Sequence, residues 1–127
     1  VLDIDCPGGS VVATHEIYNS LEKSKKPIVV YMREMATSGA YYISMPAKRI
    51  YADPDTITGN IGALFESVNL RGLMDKTGLK FVVIKSGPNK DMGNPAKNLT
   101  IEQQAILQGI VNETYTEFKN VVLKHRG

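Results

Sequence analysis

Residues 27–32 constrain the fold of this chain more than any other segment, because all six side chains are apolar or aromatic and three of them are β-branched. Apolar side chains on successive residues are typical of a strand that is covered on both faces, as in a parallel sheet. Shorter strand-like runs at 1–4, 49–52 and 79–84 alternate with helical patterns at about 12–23, at 70–76 and from residue 100 onward. This alternation predicts an α/β fold with mainly parallel pairing.

Local signals mark the ends of two predicted helices. Gly78 follows the second helical pattern and is a common left-handed stop. Thr100 and Gln103 form a capping-box pattern at the start of the last helix, and residues 124–126 place basic side chains in its last turn. Residues 85–98 have no periodicity and are rich in Gly, Pro, Asn and Lys, which predicts a long loop.

Length, charge and cysteine content exclude several classes of protein. The 127 residues suit one domain, and 15 basic against 13 acidic residues leave a formal net charge of only +2. No basic stripe with interleaved aromatic residues is present, so we expect no nucleic-acid partner. Cys6 is the only cysteine, which rules out a disulfide within the chain. No apolar run reaches the roughly 18 residues that would span a bilayer.

A glycine turn at residues 7–9 is the first candidate site. It follows a predicted strand and precedes a predicted helix, so its backbone N–H groups and the helix N-terminus are suited to hold an oxyanion. A plain turn without a ligand explains the same pattern. Cys6 next to it would give a thiol enzyme if paired with His15, but a lone cysteine after a strand is more often a small buried filler.

Ser38 is the second candidate, in the small-residue turn at 36–40. It lies between a buried strand and an apparent helix, where a nucleophile can be exposed on a sharp turn. The competing interpretation is a helix cap, the commonest role of serine at such a position. A serine nucleophile needs a base, and we expect His15 and His125 to be surface side chains. Lysine is a recognised alternative base, but spacing alone does not select one of the many lysines.

Four segments carry a resemblance to a known family. They are DCPGG at 5–9, ATSGAYYIS at 36–44, TGNIG at 58–62 and KSGPNKD at 85–91. In the same order they resemble motifs of the bacterial signal peptide peptidase A family, over essentially the whole chain. Three positions depart from that pattern: Cys6 and Asn60 stand where serine is common in the family, and Ala40 where glycine is common.

No zinc-type Cys/His spacing, Walker motif or G-x-G-x-x-G motif is present.

The resemblance implies a role for each matched position. Ser38 is the nucleophile and Lys90 the general base of a Ser/Lys dyad. Gly9 and Gly39 are the oxyanion donors. Asn60 falls where the family orients the lysine, and an Asn side chain can accept a hydrogen bond from lysine. A plain turn residue in a glycine-rich loop explains Asn60 equally well.

The resemblance also implies the wider setting. The fold is expected to be the Clp protease/crotonase type, with repeated ββα units around a mostly parallel sheet. Because the sequence starts within a strand and stops within a helix, residues 1–127 are expected to be a protease catalytic core truncated at both ends. No cofactor or metal is expected. The expected partners are peptide substrates, including cleaved signal peptides, and further copies in a homo-oligomer, with a membrane anchor outside this chain and an extracytoplasmic catalytic domain.

Two other functions share this sequence pattern. A crotonase-like acyl-CoA enzyme would use the same fold and oxyanion hole, but it does not need a serine and a lysine in these motifs. An inactive scaffold that binds peptides is the other alternative. The presence of both Ser38 and Lys90 favours the peptidase.

Overall fold

The computed structural model describes all residues from 1 to 127. Its elements are β1 (Leu2–Cys6), α1 (Val11–Glu22), β2 (Val29–Thr37), α2 (Gly39–Ser44), β3 (Arg49–Ala52), β4 (Ile57–Gly59), α3 (Arg71–Thr77) and α4 (Ile101–Arg126). The chain divides into two compact units. The sheet unit comprises Val1–Ala63 and Glu113–Gly127, and the loop unit comprises Leu64–Asn112. Each is described by itself.

A four-stranded, fully parallel sheet forms the sheet unit, which confirms the predicted α/β class with parallel pairing. The strand β2 is central: it pairs with β1 on one side, and on the other with β3 along its first half and β4 along its last residues. The register sets Thr37 opposite Gly59. The sequence pattern predicted 58–62 as a loop, but its first two residues complete β4, because the end of β2 leaves backbone groups that need partners.

Two apolar clusters hold the sheet unit together. The first lies on the sheet and contains Ile4, Val30, Met32, Ala36, Ala40 and Ala47. The second joins three helices through Tyr18, Tyr42, Met45 and Phe118. Its rings meet edge to face, with centroids 5.0 Å apart for both Tyr18–Tyr42 and Tyr42–Phe118, a favoured aromatic geometry. The second cluster therefore fixes α2, the helix that follows Ser38, against α1 and α4.

The prediction that β2 is covered on both faces is wrong. Val30 and Met32 are buried, but the alternate residues Tyr31 and Arg33 are exposed. Side chains alternate between the faces of a strand, so one face of β2 meets the core and the other is open. Arg33 uses the open face to form a two-pronged ion pair with Asp3. The continuous apolar run at 27–32 therefore did not indicate burial of both faces of β2.

The loop unit contains α3, the first part of α4 and the long loop between them. The predicted stop is confirmed, since α3 ends at Gly78 with a left-handed φ of 73°. The capping box is also confirmed: Thr100 N donates to Gln103 Oε1 (3.2 Å) and Gln103 N donates to Thr100 Oγ1 (3.1 Å). The predicted loop at 85–98 contains turns but no helix or strand.

The strand predicted at residues 79–84 is wrong. This segment forms no ladder, and Val82 and Ile84 are 86% and 98% exposed. The strand preference of its residues reflects packing on a half-buried pleated surface, and a strand also needs a neighbour for its backbone hydrogen bonds. The loop unit contains no strand that could be this neighbour, so both requirements are unmet.

None of the helices combines the length and the apolar character that crossing a membrane requires.

Candidate active site

The glycine turn lies directly against the turn that carries Ser38. Gly8 has φ of 103°, and a Cβ on it would lie 2.8 Å from both Gly39 N and Ser38 Cβ. Real Cβ atoms do not approach that closely, so only glycine fits this position. Thr37 ties the two turns together, because its buried hydroxyl donates to Pro7 O at 2.9 Å. The sheet thus brings two separate sequence motifs to one end of β1 and β2.

Ser38 has a strained backbone between β2 and α2, with φ of 53° and ψ of −123°. Few non-glycine residues adopt positive φ, and such strain persists only where the surroundings enforce it. Here Ser38 N donates to Gly59 O (2.9 Å) and Ser38 O accepts from Tyr42 N (2.9 Å). The serine side chain makes no capping hydrogen bond to α2, which removes the helix-cap interpretation. A strained serine between strand and helix is the geometry that exposes a nucleophile.

Gly9 and Gly39 lie together beside Ser38, and their role as oxyanion donors stays a prediction. The amide of Ser38 is already bonded to Gly59 O, so it cannot serve as a donor. The amide of Gly39 is the first of α2 and has no acceptor within the helix. Gly9 N lies 3.5 Å from the position that a Cβ on Gly39 would occupy. Two N–H groups without protein acceptors therefore flank the serine.

A small pocket of about 40 Å³ opens beside these groups. Its walls come from α1, α2, α4 and the loop after β4, and they include Gly9, Thr14, His15, Ser38, Gly39, Tyr42, Gly62 and Phe118. Thr14 closes one side, because a Cβ on Gly39 would overlap Thr14 Oγ1.

His15 borders this pocket, and its side chain is 31% exposed, so it is a partly exposed residue rather than a buried one. Its Nε2 lies 3.0 Å from the Tyr42 hydroxyl and 3.4 Å from Glu117 Oε1. Burial, Glu117 and Tyr18 raise the pKa of Tyr42 to about 12, so its phenol stays protonated near neutral pH and is not a base for Ser38. His15 and Tyr18 are three residues apart on α1, and this shared helical face brings both rings against Tyr42.

Two further expectations are corrected. His125 is not a surface residue: it lies in the last turn of α4, its side chain is 16% exposed, and Nε2 is 3.0 Å from the Tyr18 hydroxyl. Burial lowers the pKa of His125, because it disfavours the imidazolium. Cys6 is exposed rather than a buried filler, and its Sγ accepts from Gly8 N at 3.3 Å. Neither histidine nor cysteine belongs to a group of side chains that could hold a metal ion.

Asn60 follows β4 directly and is exposed, with φ of 51°. Asparagine tolerates this left-handed conformation better than most residues, so the backbone alone accounts for its presence. Its neighbour Gly59 pairs with Thr37, which sets Asn60 at the same end of the sheet as Ser38. An orienting role for Asn60 stays a prediction.

Lys90 belongs to the loop unit and stands exposed between two anchored residues. On one side, Asn89 accepts from Gln103 Nε2 (3.2 Å) and donates to Glu102 Oε1 (2.9 Å) at the start of α4. On the other side lies Asp91. Lys90 N donates to Gly87 O at 3.3 Å, and the Lys90 side chain forms no ion pair. The partnership of Lys90 with Ser38 stays a prediction.

Comparison with known proteins identifies the family. Residues 20–127 match Peptidase family S49. The chain belongs to this family. It is 39% identical, over 99% of its length, to a provisionally named protease of Methanocaldococcus jannaschii, and covers 41% of that protein. It is 36% identical, again over 99% of its length, to a provisionally named signal peptide peptidase SppA of Enterococcus faecium, of which it covers 38%. For Protease 4 of Salmonella typhi the identity is 35% over 99% of this chain and 21% of that protein.

These values confirm the family resemblance drawn from the four motifs. They also show that the chain spans less than half of the length of each of these relatives. The glycine turn at 5–9 lies before the matched family region, and the three relatives extend the likeness across it. Membership of a peptidase family is therefore established, and the reaction itself is taken up as a proposal.

Proposed function

We propose that this chain is the catalytic core of a serine peptidase of the signal peptide peptidase A type, with a Clp protease/crotonase-like fold. The observation that carries this proposal is the strained, uncapped Ser38 beside the unbonded amides of Gly9 and Gly39. Nucleophile and oxyanion donors must act on one carbonyl, and here they converge on one small pocket. Lys90 is proposed as the general base on its match to the family motif.

The proposed reaction proceeds through an acyl-enzyme. Ser38 Oγ attacks the peptide carbonyl and passes its proton to the neutral amine of Lys90, while the Gly9 and Gly39 N–H groups bind the oxyanion. The tetrahedral intermediate then breaks its C–N bond, and Lys90 returns the proton to the departing amine. Water, deprotonated by Lys90, attacks the serine ester. The second tetrahedral intermediate then breaks its bond to Ser38 Oγ, which regains the proton from Lys90, and the acid is released. Asn60 is proposed to orient Lys90 by accepting a hydrogen bond through its side-chain oxygen.

The substrate and setting are proposed from the family. We infer that the enzyme hydrolyses hydrophobic peptides such as cleaved signal peptides, which the name of the Enterococcus relative supports. The working enzyme is proposed to be a homo-oligomer with a membrane anchor outside this chain and an extracytoplasmic catalytic domain.

Kinetics of single variants test the proposal in the protein at its natural length. Ser38→Ala and Lys90→Ala should each reduce cleavage of a hydrophobic peptide by about 1,000-fold or more, as losses of a nucleophile or base do. His15→Gln should cost less than about tenfold, since His15 contributes only to the pocket wall. Full activity in Ser38→Ala or Lys90→Ala would refute the dyad. An inactive His15→Gln beside an active Lys90→Ala would move the base to His15.

Covalent labelling separates the peptidase from its two alternatives. A fluorophosphonate should label Ser38 stoichiometrically in the wild type and slowly in Lys90→Ala, because only an activated serine reacts. A crotonase-like enzyme would instead turn over acyl-CoA, and its serine would not be labelled. An inactive scaffold would bind peptide, with neither turnover nor labelling of Ser38. Mass spectrometry of the labelled peptide containing Ser38 identifies the site directly.

A further inference from the structure

Asp91, the residue after Lys90, forms two ion pairs within the loop unit. Lys85 Nζ and Lys97 Nζ each lie 2.6 Å from a different oxygen of its carboxylate. The Asp91 side chain is only 10% exposed, against 73% for Asp75, the other aspartate of this unit with an ion pair. Hydrogen bonds from Lys85 and Lys97 lower the pKa of Asp91 to about 2, so its carboxylate is ionised near neutral pH.

These bonds fix the loop at the position of the lysine. Lys85 also donates to Pro88 O at 2.6 Å, so one ammonium group closes the turn before Lys90 and holds the residue after it. Lys97 binds the same carboxylate from the far end of the loop. Because the loop contains neither helix nor strand, its shape depends on turn hydrogen bonds and side-chain bonds, and the Asp91 carboxylate joins two of its lysines.

We propose that Asp91 is the positioning residue of Lys90, holding the base-bearing loop in its working shape by binding Lys85 and Lys97. This inference rests on the proposed function, in which Lys90 is the base. A general base must be held within a fraction of an ångström of its productive position, so its supporting bonds contribute to kcat.

The test compares Asp91→Asn with Asp75→Asn in the protein at its natural length. Asp91→Asn should reduce kcat by about 100-fold with KM unchanged, since a displaced base slows the chemistry but not binding. Labelling of Ser38 by a fluorophosphonate should slow by the same factor. Asp75→Asn removes an exposed carboxylate 3.9 Å from Arg71 and should leave both values within about twofold of the wild type.

Two further variants cover the case in which Asp91→Asn does not fold. Lys85→Met and Lys97→Met each leave the carboxylate with one lysine, and each should give a kcat between those of the wild type and the inactive Lys90→Ala. Wild-type kcat in both, or in folded Asp91→Asn, would overturn the positioning role while an inactive Lys90→Ala left the proposed function intact. A fully active Lys90→Ala would instead overturn the proposed function, and this inference with it.

Discussion

The turn that carries Ser38 and the loop that carries Lys90 are held in shape by different forces. Around Ser38, backbone interactions hold the turn in shape. Strand register, main-chain hydrogen bonds and a glycine with positive φ impose a strained conformation. Around Lys90, side-chain interactions hold the loop in shape. Two lysines form ion pairs with the Asp91 carboxylate, and the side-chain amides of Asn89 and Gln103 form a hydrogen bond. One region depends on close packing and the other on charge.

This difference determines how each region should fail. Close packing tolerates no added volume, so a single methyl group is expected to disturb the Ser38 turn at any pH and salt concentration. Ion pairs at a partly exposed loop weaken when salt screens them or when the carboxylate is protonated. The three predictions below use these sensitivities, from the largest expected effect to the smallest.

Gly8→Ala should cause the largest loss. The added Cβ would lie 2.8 Å from Ser38 Cβ and Gly39 N, and alanine disfavours φ of 103°. We expect peptidase activity to fall by at least about 100-fold, because the serine and its oxyanion donors are displaced. The free energy of unfolding should drop by roughly 1–3 kcal/mol. Gly78→Ala is the matched control, because Gly78 also has a positive φ but has open space around it. This variant should lose stability and keep its peptidase activity. Equal activity in the two variants would contradict the packing argument.

Gly39→Ala should cause an intermediate loss that a second substitution relieves. The new Cβ would overlap Thr14 Oγ1, so the turn must shift away from α1. We expect kcat/KM to fall by roughly 10- to 100-fold, and Gly39→Ala with Thr14→Ala to recover at least half of the lost activation free energy. Gly39→Ala with Thr14→Ser keeps a hydroxyl at that position and should recover nothing. The same recovery in both double variants would show that the overlap is not the cause.

On stability, the ion pairs of Asp91 should give the smallest of the three effects, and this effect should disappear at acid pH. The pKa of Asp91 falls from 3.8 to about 2 in the folded protein, because Lys85 and Lys97 favour its ionised form. A lowered pKa stabilises the fold above the unfolded value and loses this contribution as pH falls from about 4 to about 2. The melting temperature of the wild type should therefore exceed that of Asp91→Asn at pH 5, and the difference should vanish near pH 2. A difference that stays constant across this range would rule out the charge effect.

The sequence predicted the fold class and most elements for physical reasons that are local. The helix stop at Gly78 and the capping box of Thr100 and Gln103 need only neighbouring residues, and both are present. The strand predicted at 79–84 failed because its pairing depends on a neighbour that no local pattern contains. The contact of His15 with the Tyr42 hydroxyl was missed for a related reason, because it joins residues of two different helices.

Sequence by itself determined which residues of this protein are candidates: the motifs around Ser38 and Lys90 and the glycines at 9 and 39 stand in the order of the family. Tertiary structure alone decided that Gly8 must be glycine, that the Ser38 hydroxyl is not a helix cap, and that Asp91 binds two lysines. Residue types and their spacing can be read directly from the sequence. Strain, overlap and ion pairing depend on distances between residues that only folding brings into contact.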